Sequence, residues 1–215
     1  RNATLLLAPG ILGLLFGFII PLLYMIRMSF NIGASDGVVI HTWSLEMYAK
    51  PLSDPYYWEV ILNTFLMGLK VAVFCAVLSY PIALFLTRTN SRFKGLLMAM
   101  AIAPLLTSAV VRTYGWMVIL GPVGIINGVL KALGYDGPPL VLVNNMTGVE
   151  IGLIEIFMPY AILGMMSGFG RLSTQLEEAA GSLGANAFTV FWRITLPLSI
   201  PGLAMAFLLV FVLSI

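Results

Sequence analysis

The chain has 215 residues, of which 60% are hydrophobic and 9% charged. Soluble domains carry about a quarter of their residues as charges, so this composition excludes an ordinary soluble domain and points to a membrane-embedded one. A formal charge of +2 is too small to suggest a nucleic-acid partner, and the single cysteine, Cys75, excludes an intrachain disulfide framework and a Cys-based metal site.

A spanning helix needs about 20 predominantly apolar residues. The first apolar run, 3–26, carries no charge and is too long for a removable signal peptide, so it reads as a spanning helix that Pro9 and Pro21 can kink. Gly13 and Gly17 within it have small-xxx-small spacing, which suits either close helix contact or simple packing. Residues 27–59 are polar and hold Trp43, Tyr48, Tyr56, Tyr57 and Trp58, an aromatic set suited to a membrane interface. His41 lies there without Cys or His partners and reads as a surface residue, not a ligand. The second spanning helix is 60–86, with one cation, Lys70, and with Cys75 as a small buried apolar residue. A short loop, 87–95, carries Arg88, Arg92 and Lys94.

The third helix is 96–120, with Pro104 and one cation, Arg112. Residues 121–147 form a connection rich in Gly, Pro and Asn, in which 125–133 suits a short interfacial helix. The fourth helix is 148–169, with Glu155 inside it. A polar island, 170–198, follows, and a fifth helix runs from 199 to 215. The chain stops at Ile215 inside an apolar segment, so a sixth helix is expected beyond it. The expected fold is all-α, a polytopic membrane helix bundle forming one transmembrane domain over 1–215.

Basic residues orient this bundle. Arg1, Arg88, Arg92, Lys94, Arg171 and Arg193 fall on one side, and Arg27, Lys50 and Lys131 on the other, with Lys70 and Arg112 inside helices. The positive-inside rule places the six-residue side, and with it the island, in the cytoplasm. No lysine follows a glycine, so a P-loop is absent and the chain is not expected to hydrolyse ATP. One histidine and one cysteine leave no catalytic triad or zinc cluster. Asn2 and Asn145 fit the glycosylation triplet by pattern only.

Within the island, Thr174 and Glu177 have capping-box spacing, so a helix is expected to start near Gln175. Gly184 supplies a turn, Asn186 can cap a second short helix, and Pro197 is expected to stop that helix. Three readings compete. A solvated loop is the plainest. A DNA-reading helix-turn-helix lacks the basic face it needs, since two arginines meet two glutamates between Arg171 and Pro197. The third reading is a resemblance. Glu178, Ala179, Ala180, Gly184, Ile194, Leu196 and Pro197 match, in type and spacing, the EAA loop of the permeases of bacterial ABC importers.

That resemblance implies a type I importer permease fold in the bacterial inner membrane. The seven motif residues then belong to a coupling helix that docks in a cleft of a cytoplasmic ATPase dimer. Ala179 and Ala180 permit close approach, Glu178 supplies a charge, and Gly184 allows a sharp exit. Leu183, Phe188, Phe191 and Trp192 are expected to pack the short helices together or against the membrane helices. The chain itself then needs no cofactor, because ATP and Mg bind on the partner. The other implied partners are a second permease subunit and a periplasmic or lipid-anchored solute-binding protein.

A second run, Pro104, Leu105, Thr107, Ser108, Arg112, Tyr114 and Trp116, resembles the third helix of spermidine/putrescine permeases. Permeases for ferric iron, thiamine, sulfate and opines share much of the architecture. Glu155 then has two readings. It attracts an amine of a polyamine, with Tyr160, Trp116 and Tyr114 beside the path and aromatic faces giving cation–π contact. Alternatively it forms an internal ion pair with Arg112 or Lys70. Polyamine import is the leading function, and import of another solute is the alternative. An ATP-independent secondary transporter would show inverted repeats, and none is evident. A membrane assembly subunit that does not transport is the remaining class.

Overall fold

The computed structural model describes residues 2–33, 39–40, 42–170 and 172–215. Arg1, His41 and Arg171 lie outside the described residues. In chain order the elements are α1 (Asn2–Ser29), β1 (Ile32–Gly33), β2 (Val39–Ile40), α2 (Glu46–Ser53), α3 (Pro55–Arg88), α4 (Lys94–Leu106), α5 (Ala109–Leu120), α6 (Ile125–Ala132), α7 (Met146–Phe169), α8 (Thr174–Ser182), α9 (Ala187–Val190), a π-helical turn (Phe191–Thr195) and α10 (Leu196–Ser214). The fold is an all-α polytopic bundle, with β1 and β2 forming only a two-residue antiparallel pairing, Ile32 to Ile40 and Gly33 to Val39. Among the described residues, five helical segments are long and apolar enough to cross a membrane: Pro9–Ser29, Pro55–Arg88, Ala109–Ala132, Met146–Phe169 and Ala187–Ser214.

The chain divides into two compact units, Arg1–Asn63 and Thr64–Ile215. In the first, the Arg27 guanidinium lies 4.3 Å from the Trp43 ring centroid. It donates to Asn31 Oδ1 at 2.8 Å and to the Thr42 carbonyl at 3.2 Å. The Phe30 ring meets Trp43 and Tyr48. The aromatics of this polar stretch thus hold the end of α1 to α2. Within this unit nothing stands within 4 Å of a Cβ built at Gly13 or Gly17, so their spacing marks no close approach there.

The second unit is built where α7 and α10 cross. Gly164 and Gly168 sit one turn apart on α7, and Gly202 and Ala206 one turn apart on α10. A Cβ on Gly168 would stand 2.3 Å from the Gly202 Cα, and one on Gly164 would stand 3.4 Å from Ala206. Lipid offers no hydrophobic drive between helices, so close backbone contact and hydrogen bonds must hold them together. Residues 71–86 of α3 close the third side, burying Val71, Ala72, Cys75, Ala83 and Leu86 against Ala161, Ile162, Met165, Phe169, Ala206 and Val210. Pro159 cannot donate to the Glu155 carbonyl, which disturbs the α7 ladder. Next to that gap α3 supplies donors: the Cys75 thiol to the Ile154 carbonyl at 3.5 Å, and the Ser79 hydroxyl to the Met158 carbonyl at 3.3 Å.

Two expectations change here. The expected helix 96–120 is broken. Thr107 and Ser108 take extended ψ angles of 133° and 135°, dividing it into α4 and α5 of 13 and 12 residues. Each piece is roughly 20 Å long, less than the hydrocarbon core of about 30 Å. Where the extended Thr107 and Ser108 interrupt the ladder, the Arg112 guanidinium donates to the carbonyls of Pro104 and Thr107, whose usual donors four residues on are displaced. The second change is at Pro197, which does not stop a helix. Helical backbone runs from Ala187 to Ser214, with Pro197 in the first turn of α10. The π turn just before it bonds the Leu196 N–H to the Phe191 carbonyl, five residues back, and this wider turn makes room for the ring. The last helix therefore starts before residue 199.

Candidate functional site

The island folds as two short helices joined by a tight turn. α8 begins at Thr174 with Ser173 before it, one residue earlier than the capping box implies, and Ser173 makes no side-chain cap. Its C-terminus is a Schellman turn: Ala185 N–H bonds the Ala180 carbonyl at 3.0 Å and Gly184 N–H the Gly181 carbonyl at 2.9 Å. Gly184 has φ +85°, the left-handed region where glycine is unstrained. Asn186 caps α9, its Oδ1 accepting from Thr189 N–H at 2.8 Å.

The motif residues divide between two faces. Glu178 and Ala179 are exposed and Ala180 is half-buried. Gly184 and Pro197 are exposed, and Ile194 and Leu196 are half-buried along the π turn and α10. Leu183 is 89% exposed, Phe188 72% and Trp192 53%, so these are not buried against the membrane helices, but the Trp192 ring meets Phe188 at 6.0 Å and Phe191 at 5.7 Å. Leu176 is exposed as well, at 50%. Phe191 does turn inward, edge-on to Tyr80 at 6.0 Å.

Sequence reading gave Glu177 a capping role with Thr174. It takes no part in a cap. Its Oε1 accepts from the Arg88 guanidinium at the end of α3 and from the Thr195 hydroxyl at 2.6 Å. Just beyond, the hydroxyls of Tyr80 and Ser199 meet at 2.9 Å. No local spacing signals these contacts, since Arg88 lies 89 residues from Glu177. They place the α3 terminus and α8 at one end of the second unit.

The intramembrane charges pair with each other. Arg112 Nε lies 3.2 Å from Glu155 Oε2, and Lys70 Nζ lies 3.1 Å from Glu150 Oε1. Of the two readings of Glu155, this geometry favours the ion pair, with Arg112 and not Lys70 as partner. Arg112 and the half-buried Trp116 line a cleft of about 340 Å³ together with Asn144, Asn145, Val149 and Gly152. Glu155 lines a neighbouring apolar cavity of about 310 Å³ with Met100, Pro104 and Met158. Tyr114 and Tyr160 line neither space, and both are exposed. The expected substrate path residues are therefore not gathered into one site. Asn145 has a structural role: its Oδ1 caps α7 by accepting from Gly148 N–H at 2.9 Å. Among the described residues no group of three His, Cys, Asp or Glu could hold a metal.

A family described as "Binding-protein-dependent transport system inner membrane component" matches residues 72–215. The chain belongs to this family. It is 35% identical over 196 residues to the spermidine/putrescine transport system permease protein PotB of Escherichia coli K12, covering 91% of this chain and 70% of the relative. The Haemophilus influenzae protein of the same name is 32% identical over 197 residues, covering 92% and 68%. The molybdenum transport system permease protein ModB of Mycobacterium bovis is 27% identical, covering 85% and 70%. A crystal structure of a bacterial ABC transporter involved in import of the acidic polysaccharide alginate matches 97% of this chain and 71% of that one, with a TM-score of 0.73 at 17% identity. That likeness concerns the fold. The chain is an ABC importer permease and a multi-pass inner-membrane protein.

Proposed function

We propose that this permease carries the polyamines spermidine and putrescine across the bacterial inner membrane, and that a separate ATPase supplies the energy. The observation that carries the substrate reading is 32–35% identity to the spermidine/putrescine permeases over nine-tenths of the chain. The coupling reading is supported by the exposure of Glu178, Ala179, Leu183, Phe188 and Trp192 in the island. An exposed charge suits a polar docking cleft. The island faces the cytoplasm, where ATP and Mg bind on an ATPase dimer. A second permease subunit completes the path, and a solute-binding protein delivers solute from the other side. Closure of the ATPases moves the permease pair between inward and outward states.

A second reading, import of an anionic solute, is favoured by one observation: Arg112 and Trp116 stand together on the wall of the cleft of about 340 Å³. The test is ATP-dependent uptake in proteoliposomes holding the complete transporter. Labelled spermidine and putrescine serve as solutes, with molybdate, ferric iron, thiamine and an opine as competitors. Saturable polyamine uptake that requires ATP supports the proposal. Competition by molybdate alone supports the second reading, and uptake indifferent to ATP rejects both.

A further inference from the structure

We infer that Glu177 is the positioning residue through which motion of α8 is passed to the membrane helices, although it is not among the exposed residues assigned to docking. The inference rests on the reading of α8 as the coupling helix. α8 buries none of its residues. The space behind it is a cleft of about 440 Å³, bordered by the small residues Gly181, Ala185 and Ala187 and by Phe191. Side-chain packing is therefore too sparse to drag neighbouring helices along when α8 is displaced.

One carboxylate oxygen bridges that gap. Glu177 Oε1 accepts from Arg88, the last residue of α3, and from Thr195 at 2.6 Å. A carboxylate has no proton to give, so the Thr195 hydroxyl is the donor. Its one O–H is then withheld from the carbonyl a turn earlier, the usual acceptor of a helical threonine. Thr195 is 2% exposed and is the last residue of the π turn. Such turns cluster at functional sites, and this one joins the island to α10. Tyr80 continues the link, with its ring against Phe169 and Phe191 and its hydroxyl at Ser199 on α10. A displacement of α8 thus pulls the end of α3 and the base of α10 together.

The test uses the whole transporter in proteoliposomes, with spermidine uptake and ATP hydrolysis measured on the same sample. Glu177→Ala should keep the ATPase on co-purification yet lower solute moved per ATP by about fivefold or more, within the range of ordinary coupling free energies. Thr195→Val removes only the hydroxyl and should act in the same direction, and it carries the test if Glu177→Ala fails to fold. In the permease alone, Glu177→Ala should speed amide exchange at residues 191–195. Wild-type solute transport per ATP in both variants would overturn the inference. So would loss of ATPase co-purification in Glu177→Ala, because Glu177 would then be a docking residue. Absence of ATP-dependent uptake by the wild-type complex would overturn the importer reading, and this inference with it.

Discussion

Glu155 Oε2 on α7 stands 3.2 Å from Arg112 Nε on α5, and the same guanidinium donates to the Pro104 and Thr107 carbonyls where α4 breaks from α5. Both paired atoms are buried and make no aligned hydrogen bond, so the contact is ionic. The side chains remain 13% and 27% exposed. One charge therefore does two jobs: it neutralises Glu155 and replaces the backbone donors that a continuous helix would have supplied.

This arrangement predicts an unequal pair of substitutions. Glu155→Gln leaves Arg112 its carbonyl partners and should lower stability by about 1–2 kcal/mol. Arg112→Gln strips the carbonyls as well and should cost about 2–4 kcal/mol. The double variant should cost less than the sum by about 0.5–3 kcal/mol. Unfolding in detergent measures all three. Additive costs would remove the pairing from the account.

Glycine substitutions should separate the two units. Gly168→Ala places a Cβ 2.3 Å from the Gly202 Cα, a clash with backbone that no side chain can relieve by moving. The variant should lose about 1–3 kcal/mol, as overpacked contacts do. Gly13→Ala meets nothing within its own unit and should leave stability unchanged or raise it slightly. Equal thermal stability of the two variants would contradict the crossing point.

At the island's turn, Gly184→Ala forces φ +85° on a residue with a Cβ and should destabilise the α8–α9 turn by about 1 kcal/mol. Gly184→Asn should cost less, because asparagine tolerates that region. Amide exchange of Ala185 and Gly184, the two donors of the turn, reports the effect directly.

Glu178→Arg should leave folding within about 0.5 kcal/mol of wild type, because the side chain is exposed and makes no ion pair among the described residues. ATPase association should nonetheless weaken, since the docking charge is reversed. Unchanged co-purification together with unchanged transport would reject the coupling role of this face.

Hydropathy made the bundle legible: the runs 60–86 and 148–169 lie within α3 (Pro55–Arg88) and α7 (Met146–Phe169). It could not place the break at Thr107, because an apolar average does not register an arginine whose guanidinium can serve the carbonyls at such a break. It also misjudged Pro197, whose effect depends on the π turn before it. In the island, Gly184 and Asn186 were readable because their roles are local. Glu177 was not, because Arg88 and Thr195 reach it only through the fold. The small residues at 164, 168, 202 and 206 carried the same spacing as Gly13 and Gly17. Spacing alone does not say which pair meets a partner, and backbone approach decides it.

The most direct test of the central claim, that the exposed face of α8 docks an ATPase, is thiol accessibility in inner-membrane vesicles. Ala179→Cys is introduced with Cys75→Ala, and Asn90→Cys in the loop after α3, on the same side, serves as an exposed control. Addition of the ATPase should suppress maleimide labelling at position 179, removal should restore it, and labelling at 90 should change less. Equal labelling at 179 with and without a bound ATPase would contradict the account.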